Sequence, residues 1–160
     1  MKKVIIFCIV ALIPFSLVFA EDENGRRGTI IATFGAGAGF GTTVETASQF
    51  SFLLDINFIN ETGFTLSVAN IVSVRTGALG ASQNLMFGAG YHYMRDRWNI
   101  GAALLASPTG LDILLAGRIN GAYFFTNNIG IAGIILYRQT VGISWNMSMF
   151  DVFIGSSIRF

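Results

Sequence analysis

What the sequence has least of narrows its class first. It holds one cysteine, Cys8, and one histidine, His92. Cys8 lies inside an apolar N-terminal segment, so everything after it lacks a thiol, a disulfide and any cysteine-based metal site. A lone histidine falls short of the ligand number a metal centre needs. Lysine occurs only as Lys2 and Lys3. Charged residues make up 12 % of the chain, against roughly 25 % in an ordinary soluble domain. Hydrophobic residues at 52 % and a mean hydropathy of +0.61 exclude disorder, which needs a charge-rich chain poor in aromatics. Without Lys2 and Lys3, eight arginines face nine acids, a net charge of −1. That balance gives no basic surface for nucleic acid. Long apolar runs are missing too. After Ala20 nothing approaches the roughly 18 residues of a membrane-spanning helix. Ile129 to Tyr137 is too short, and Leu111 to Phe125 is broken by Asp112, Arg118 and Asn120.

The N-terminus has the layout of an export signal. Lys2 and Lys3 give a positive start, Val4 to Ala20 is apolar apart from Ser16, Pro14 interrupts it, and Val18-Phe19-Ala20 precedes an acidic stretch. We expect residues 1–20 to be a cleaved signal, 21–28 a short periplasmic tail and 29–160 one domain.

What fills that domain is a period of two. In Thr29 to Gly41, Ile30, Ala32, Phe34, Ala36, Ala38 and Phe40 fall on one face, opposite Thr33 and a run of glycines. Successive side chains of a strand point to opposite sides. The same alternation runs through Gln49–Ile59, Phe64–Arg75, Asn84–Met94, Trp98–Ala106, Leu111–Phe125, Asn128–Arg138 and Met149–Phe160. Asn70 and Ser156 are exceptions on the apolar face. All charged residues within these segments (Asp55, Arg75, Asp112, Arg118, Arg138, Asp151 and Arg159) lie on the less apolar face. Connections alternate between tight polar turns, such as Asn60-Glu61-Thr62-Gly63 and Arg95-Asp96-Arg97, and a longer set that includes Ser107-Pro108-Thr109-Gly110. An apolar face on every strand is suited to lipid, where an open sheet edge would leave backbone groups unpaired. The fold class is therefore all-β: an eight-stranded antiparallel up-and-down transmembrane β-barrel. Aromatics band at its two ends. Phe58, Phe64, Tyr93, Trp98, Tyr123, Phe125 and Phe160 lie near the tight turns, and Phe40, Phe50, Tyr137 and Phe150 near the longer loops.

Phe150-Asp151-Val152-Phe153-Ile154-Gly155-Ser156-Ser157-Ile158-Arg159-Phe160 resembles the C-terminal strand of bacterial outer-membrane proteins. The whole layout is similar to the small eight-stranded class that includes OmpA-, OmpX- and OmpW-like barrels. The resemblance implies an outer-membrane location among outer-membrane lipids. It also implies an assembly signal, Val152, Ile154, Ile158 and Phe160, read by the barrel-assembly machinery. Ser156 departs from that pattern.

A barrel of eight strands has interior room for side chains or one small ligand. Inward charges must pair, so Asp55, Asp112, Arg118, Arg138, Asp151 and Arg159 form the expected lumen charge network. A structural or surface-interaction barrel with a polar core follows. The alternative is a binder or transporter of small hydrophobic molecules. Leu53, Ile71, Met86, Leu105, Leu114, Leu136 and Phe153 all face inward in the outer half, and Gly35, Gly37 and Gly39 would leave space beside them. A lipid-modifying enzyme is a third reading. No serine or aspartate has spacing that builds a nucleophile–base pair, and His92 falls near the tight-turn end, so no catalytic residue, cofactor or metal is expected. The glycines of Phe34 to Gly41 recur at every second position and miss the spacing of a nucleotide-binding loop.

Overall fold

The computed structural model describes residues 28–41, 48–75, 81–109, 112–142 and 148–160. The expected signal at 1–20 and the tail to residue 27 lie outside these, as does the side chain of Arg75. The described residues form eight strands: β1 (Thr29–Gly41), β2 (Gln49–Ile59), β3 (Phe64–Arg75), β4 (Ala81–Arg95), β5 (Trp98–Thr109), β6 (Asp112–Phe124), β7 (Ile129–Val141) and β8 (Ser148–Arg159). Each pairs antiparallel with its sequence neighbours, and β1 pairs with β8 to close the barrel. At that seam the Ile30 and Phe160 backbones exchange hydrogen bonds, with Phe160 N–H donating to Ile30 O at 2.9 Å. Closure gives both edges of the sheet a partner.

The alternation sets which side is in. Outward side chains stay exposed, as at Ile119 (61 %) and Ile154 (67 %), whereas inward Ile59, Ile71, Met86 and Phe124 are at 0 %. Strands of 11 to 15 residues exceed the roughly 9–11 needed to cross a bilayer at a tilt. Three outer aromatics stack near the tight turns: Trp98 on Tyr123 at 4.9 Å between centroids, and Tyr123 on Phe125 at 5.7 Å. Phe58, expected in the same band, is on the outward parity but is covered, at 5 % exposure.

Local chemistry fixes the tight turns. Gly63 takes φ +89° and donates to Asn60 O at 3.0 Å, while the Asn60 side chain accepts from Thr62 N–H and Oγ1. Asp96 takes φ 50° between paired Arg95 and Trp98, a conformation that aspartate tolerates better than most residues. The Ser107-Pro108-Thr109 segment, expected as loop, is strand: Pro108 pairs with Ile113. β5 has there run past its pairing with β4, which ends at Ala106, so a residue lacking an N–H is tolerated. Asn70, the polar exception on the outer face, accepts a hydrogen bond from Gln83 Nε2 at 3.1 Å. The pair spans β3 and β4, and Gln83 lies one position before Asn84, where the sequence alternation begins, so β4 starts earlier than that alternation predicts.

Candidate lumen site

The lumen is layered along its axis. At the tight-turn end Ile31, Ile59, Ala122, Phe124 and Ala132 form an apolar floor. Sequence reasoning missed it. Phe124 is the middle of three consecutive aromatics, and the parity of Asn120 and Ala122 carries it inward. The Arg159 guanidinium lies over the Phe124 ring, 4.6 Å from its centroid.

Above the floor is a polar layer that spans the barrel. Arg118 on β6 forms an ion pair with Asp55 on β2, both buried. Its Nη2 donates to Asn57 Oδ1 at 2.7 Å and to Ser67 Oγ at 3.0 Å. Asn57 Nδ2 donates to Asp55 Oδ2 at 2.8 Å, and Ser67 Oγ to Asn57 Oδ1 at 2.7 Å. The four side chains make a closed ring of hydrogen bonds, which is how a buried charge offsets lost hydration. The same layer holds His92, whose Nε2 lies 3.1 Å from Asn120 Oδ1.

Next comes an apolar belt. The seven sequence-nominated pocket residues (Leu53, Ile71, Met86, Leu105, Leu114, Leu136 and Phe153) join Ala69, Ala103, Ala116 and Ile134 in one cluster, none above 7 % exposed. The space beside the β1 glycines is taken. A Cβ on Gly37 would meet the Phe153 ring at 2.8 Å and the Val152 carbonyl, and one on Gly35 would touch Phe153 Cβ at 3.4 Å.

The uppermost described layer is again ionic. Arg138 Nε donates to Asp151 Oδ2 at 2.7 Å and Nη2 to Oδ1 at 2.9 Å, a bidentate pair. Gln49 Nε2 donates to Asp151 Oδ1 at 3.2 Å, and Ser51 to Ser73 at 2.8 Å.

The nominated charges thus do not form one network. Four of them make two separate ion pairs, below and above the belt. Asp112 lies in neither, and its carboxylate sits against Gly142 at the long-loop end. The expectation of an acidic partner for Arg159 is corrected: Arg159 donates to the backbone carbonyls of Asn127 at 2.7 Å and Asp96 at 3.4 Å. Its guanidinium is thus placed at the tight-turn end, beside the floor's Phe124, where it braces two tight turns. Val152, Ile154 and Phe160 face outward and exposed, while Ile158 is half-buried.

One device recurs between layers. Gly101 on β5 is paired with both His92 and Asn120, and Gly39 on β1 with both Gln49 and Asp151. Each glycine lets the flanking side chains meet above it. A Cβ on Gly101 would enter the His92 ring, and one on Gly39 would meet Gln49 at 2.9 Å. Gly101→Ala should therefore cost about 1–3 kcal/mol in urea unfolding from lipid vesicles, as overpacking does. Adding His92→Ala should recover part of that loss. Equal losses in the single and double variants would show that the imidazole is not what the methyl displaces.

The fold is similar to the crystal structure of Neisserial surface protein A (NspA). The TM-score is 0.59 at 12 % identity, covering 83 % of this chain and 97 % of that one. No protein-family model matches the chain, and no curated protein matches it in sequence. The architecture is that of a small outer-membrane β-barrel, a closed ring of eight antiparallel strands.

Proposed function

We propose that the chain is an integral protein of the bacterial outer membrane, exported by its N-terminal signal, with a structural or surface-interaction role and a lumen that does not conduct. The tight turns face the periplasm and the longer connections face outward. One observation carries this reading. From the Phe124 floor through the Arg118 layer and the belt to the Arg138–Asp151 pair, the side chains that make up each layer are buried, while Asn84 and Ser82, inward on β4 in the outer half, stay partly open. A solute path would leave its lining wet.

The hydrophobic-ligand alternative uses the belt, whose members already bury one another beneath the outer ion pair. The enzymatic alternative rests on His92, which is engaged with Asn120 near the periplasmic end. Among the described residues no group of three His, Cys, Asp or Glu side chains could hold a metal. The packed belt and the bonded histidine favour the structural reading over both.

Planar-bilayer recording of the purified protein tests it. We expect no stepwise current above that of the bare bilayer, in a sample whose unboiled band migrates apart from its boiled one on a gel. Discrete openings from such a folded sample would overturn the proposal.

A further inference from the structure

Among the described residues, four buried side-chain atoms in the polar layer have no hydrogen-bond partner: His92 Nδ1, Asn99 Nδ2 and Oδ1, and Arg118 Nε. All three residues are more than nine-tenths buried. The strand register brings them together on one wall. His92 on β4 and Asn120 on β6 flank Gly101 on β5. Asn99 is the next inward position toward the tight turns, and Ala103, the next one the other way, is paired with Arg118. The group lies between the two apolar clusters. Ala122, opposite Asn99, belongs to the floor, and Ala103 belongs to the belt.

Buried amides are almost always satisfied, because a bare one keeps the full cost of its lost hydration. Here the rest of each side chain is accounted for, or wholly free. Arg118 spends its other nitrogens on Asp55, Asn57 and Ser67, and His92 spends Nε2 on Asn120. The chemistry of the remaining atoms selects the partner. Arg118 Nε and Asn99 Nδ2 only donate, Asn99 Oδ1 only accepts, and His92 Nδ1 accepts in the neutral ring, whose Nε2–H is given to Asn120 Oδ1. An anion could serve the donors but offers nothing to Asn99 Oδ1. A cation would meet two N–H groups. Water donates and accepts, and a buried water typically makes about three such bonds.

We propose that this layer is an internal hydration site, in which ordered water is held by Asn99, His92 and Arg118 and sealed from bulk by the floor and the belt. The inference goes beyond the proposed function, since a barrel can be closed and dry. Its test is also separate from conductance. Isotope-labelled, folded protein in detergent micelles should show NMR cross-relaxation from water to the Asn99 side-chain amide, the Arg118 Nε–H and the His92 ring. Asn99→Leu should lose or weaken the cross-peaks at His92 and Arg118 while the heat-dependent gel shift persists. If that variant does not fold, the wild-type spectrum decides: absent water cross-peaks at the Asn99 amide overturn the proposal. Movement of the Asn99 and Arg118 Nε resonances when chloride is exchanged for nitrate would also overturn it, by assigning an anion.

Discussion

Arg118→Met should be among the most damaging single changes in the barrel, lowering stability by about 3–5 kcal/mol. The reason is what stays behind. Asp55 would keep its place in the lumen with Asn57 as its remaining named partner, buried away from bulk solvent. Replacing both members, Arg118→Met with Asp55→Leu, should restore most of the loss, because two apolar side chains of similar volume do not need the compensation that one bare charge does. Urea unfolding from lipid vesicles, followed by tryptophan fluorescence, measures all three states. A single variant as stable as wild type would mean that the carboxylate reaches solvent, and the spanning polar layer would then be wrong.

Phe153→Ala should cost a comparable amount, about 3–5 kcal/mol, through the cavity that it leaves. The ring lies against Gly37 and within the belt, among side chains held by strands on every side of the barrel. A closed ladder relaxes little, so the void should persist. Current across a planar bilayer should still be absent, because the floor and both ion pairs remain. A loss under about 1 kcal/mol would show that the belt collapses around the gap, or that it already held free space. Conductance from Phe153→Ala alone would make the belt the main seal and would remove any sealing role from the outer and inner layers.

Much of the architecture was legible because two independent constraints coincide in a strand. Phe50, Phe52, Leu54 and Ile56 alternate with Ser51, Leu53, Asp55 and Asn57, and only one assignment of faces keeps Asp55 out of lipid. The same logic located Arg118, Arg138 and Asp151 on the inside. What it could not supply was height and azimuth. Nothing local says that Arg118 reaches Asp55 across the lumen while Arg138 stays with its neighbour Asp151, because register and shear decide which inward positions meet. Arg159 shows the limit clearly. It has the parity of a lumen residue, yet it sits one position from the end of the chain and turns to the carbonyls of the tight turns. The floor escaped notice for a different reason. Ile31 and Ile59 look alike on either face of an apolar strand, so their direction follows only from parity against Thr33 and Asn57. The space expected beside the β1 glycines was real as a local inference, but it is consumed by Phe153, 116 positions away in sequence from the nearest of them in the ring's contact, Gly37.

The seam between β1 and β8 has a consequence for the order of events during biogenesis. It joins the first strand to the last, so no partially emerged chain can form a ring, and every species with fewer than eight strands carries two bare edges. The two ionic layers are unequal in this respect. Arg118, Asp55, Asn57 and Ser67 all precede β7 and can find one another early, whereas Asp151 and the Ile30–Phe160 bonds arrive last. Ring closure is thus the step at which a kinetic trap would form, and a chain stalled there would expose a template for pairing with another copy of itself.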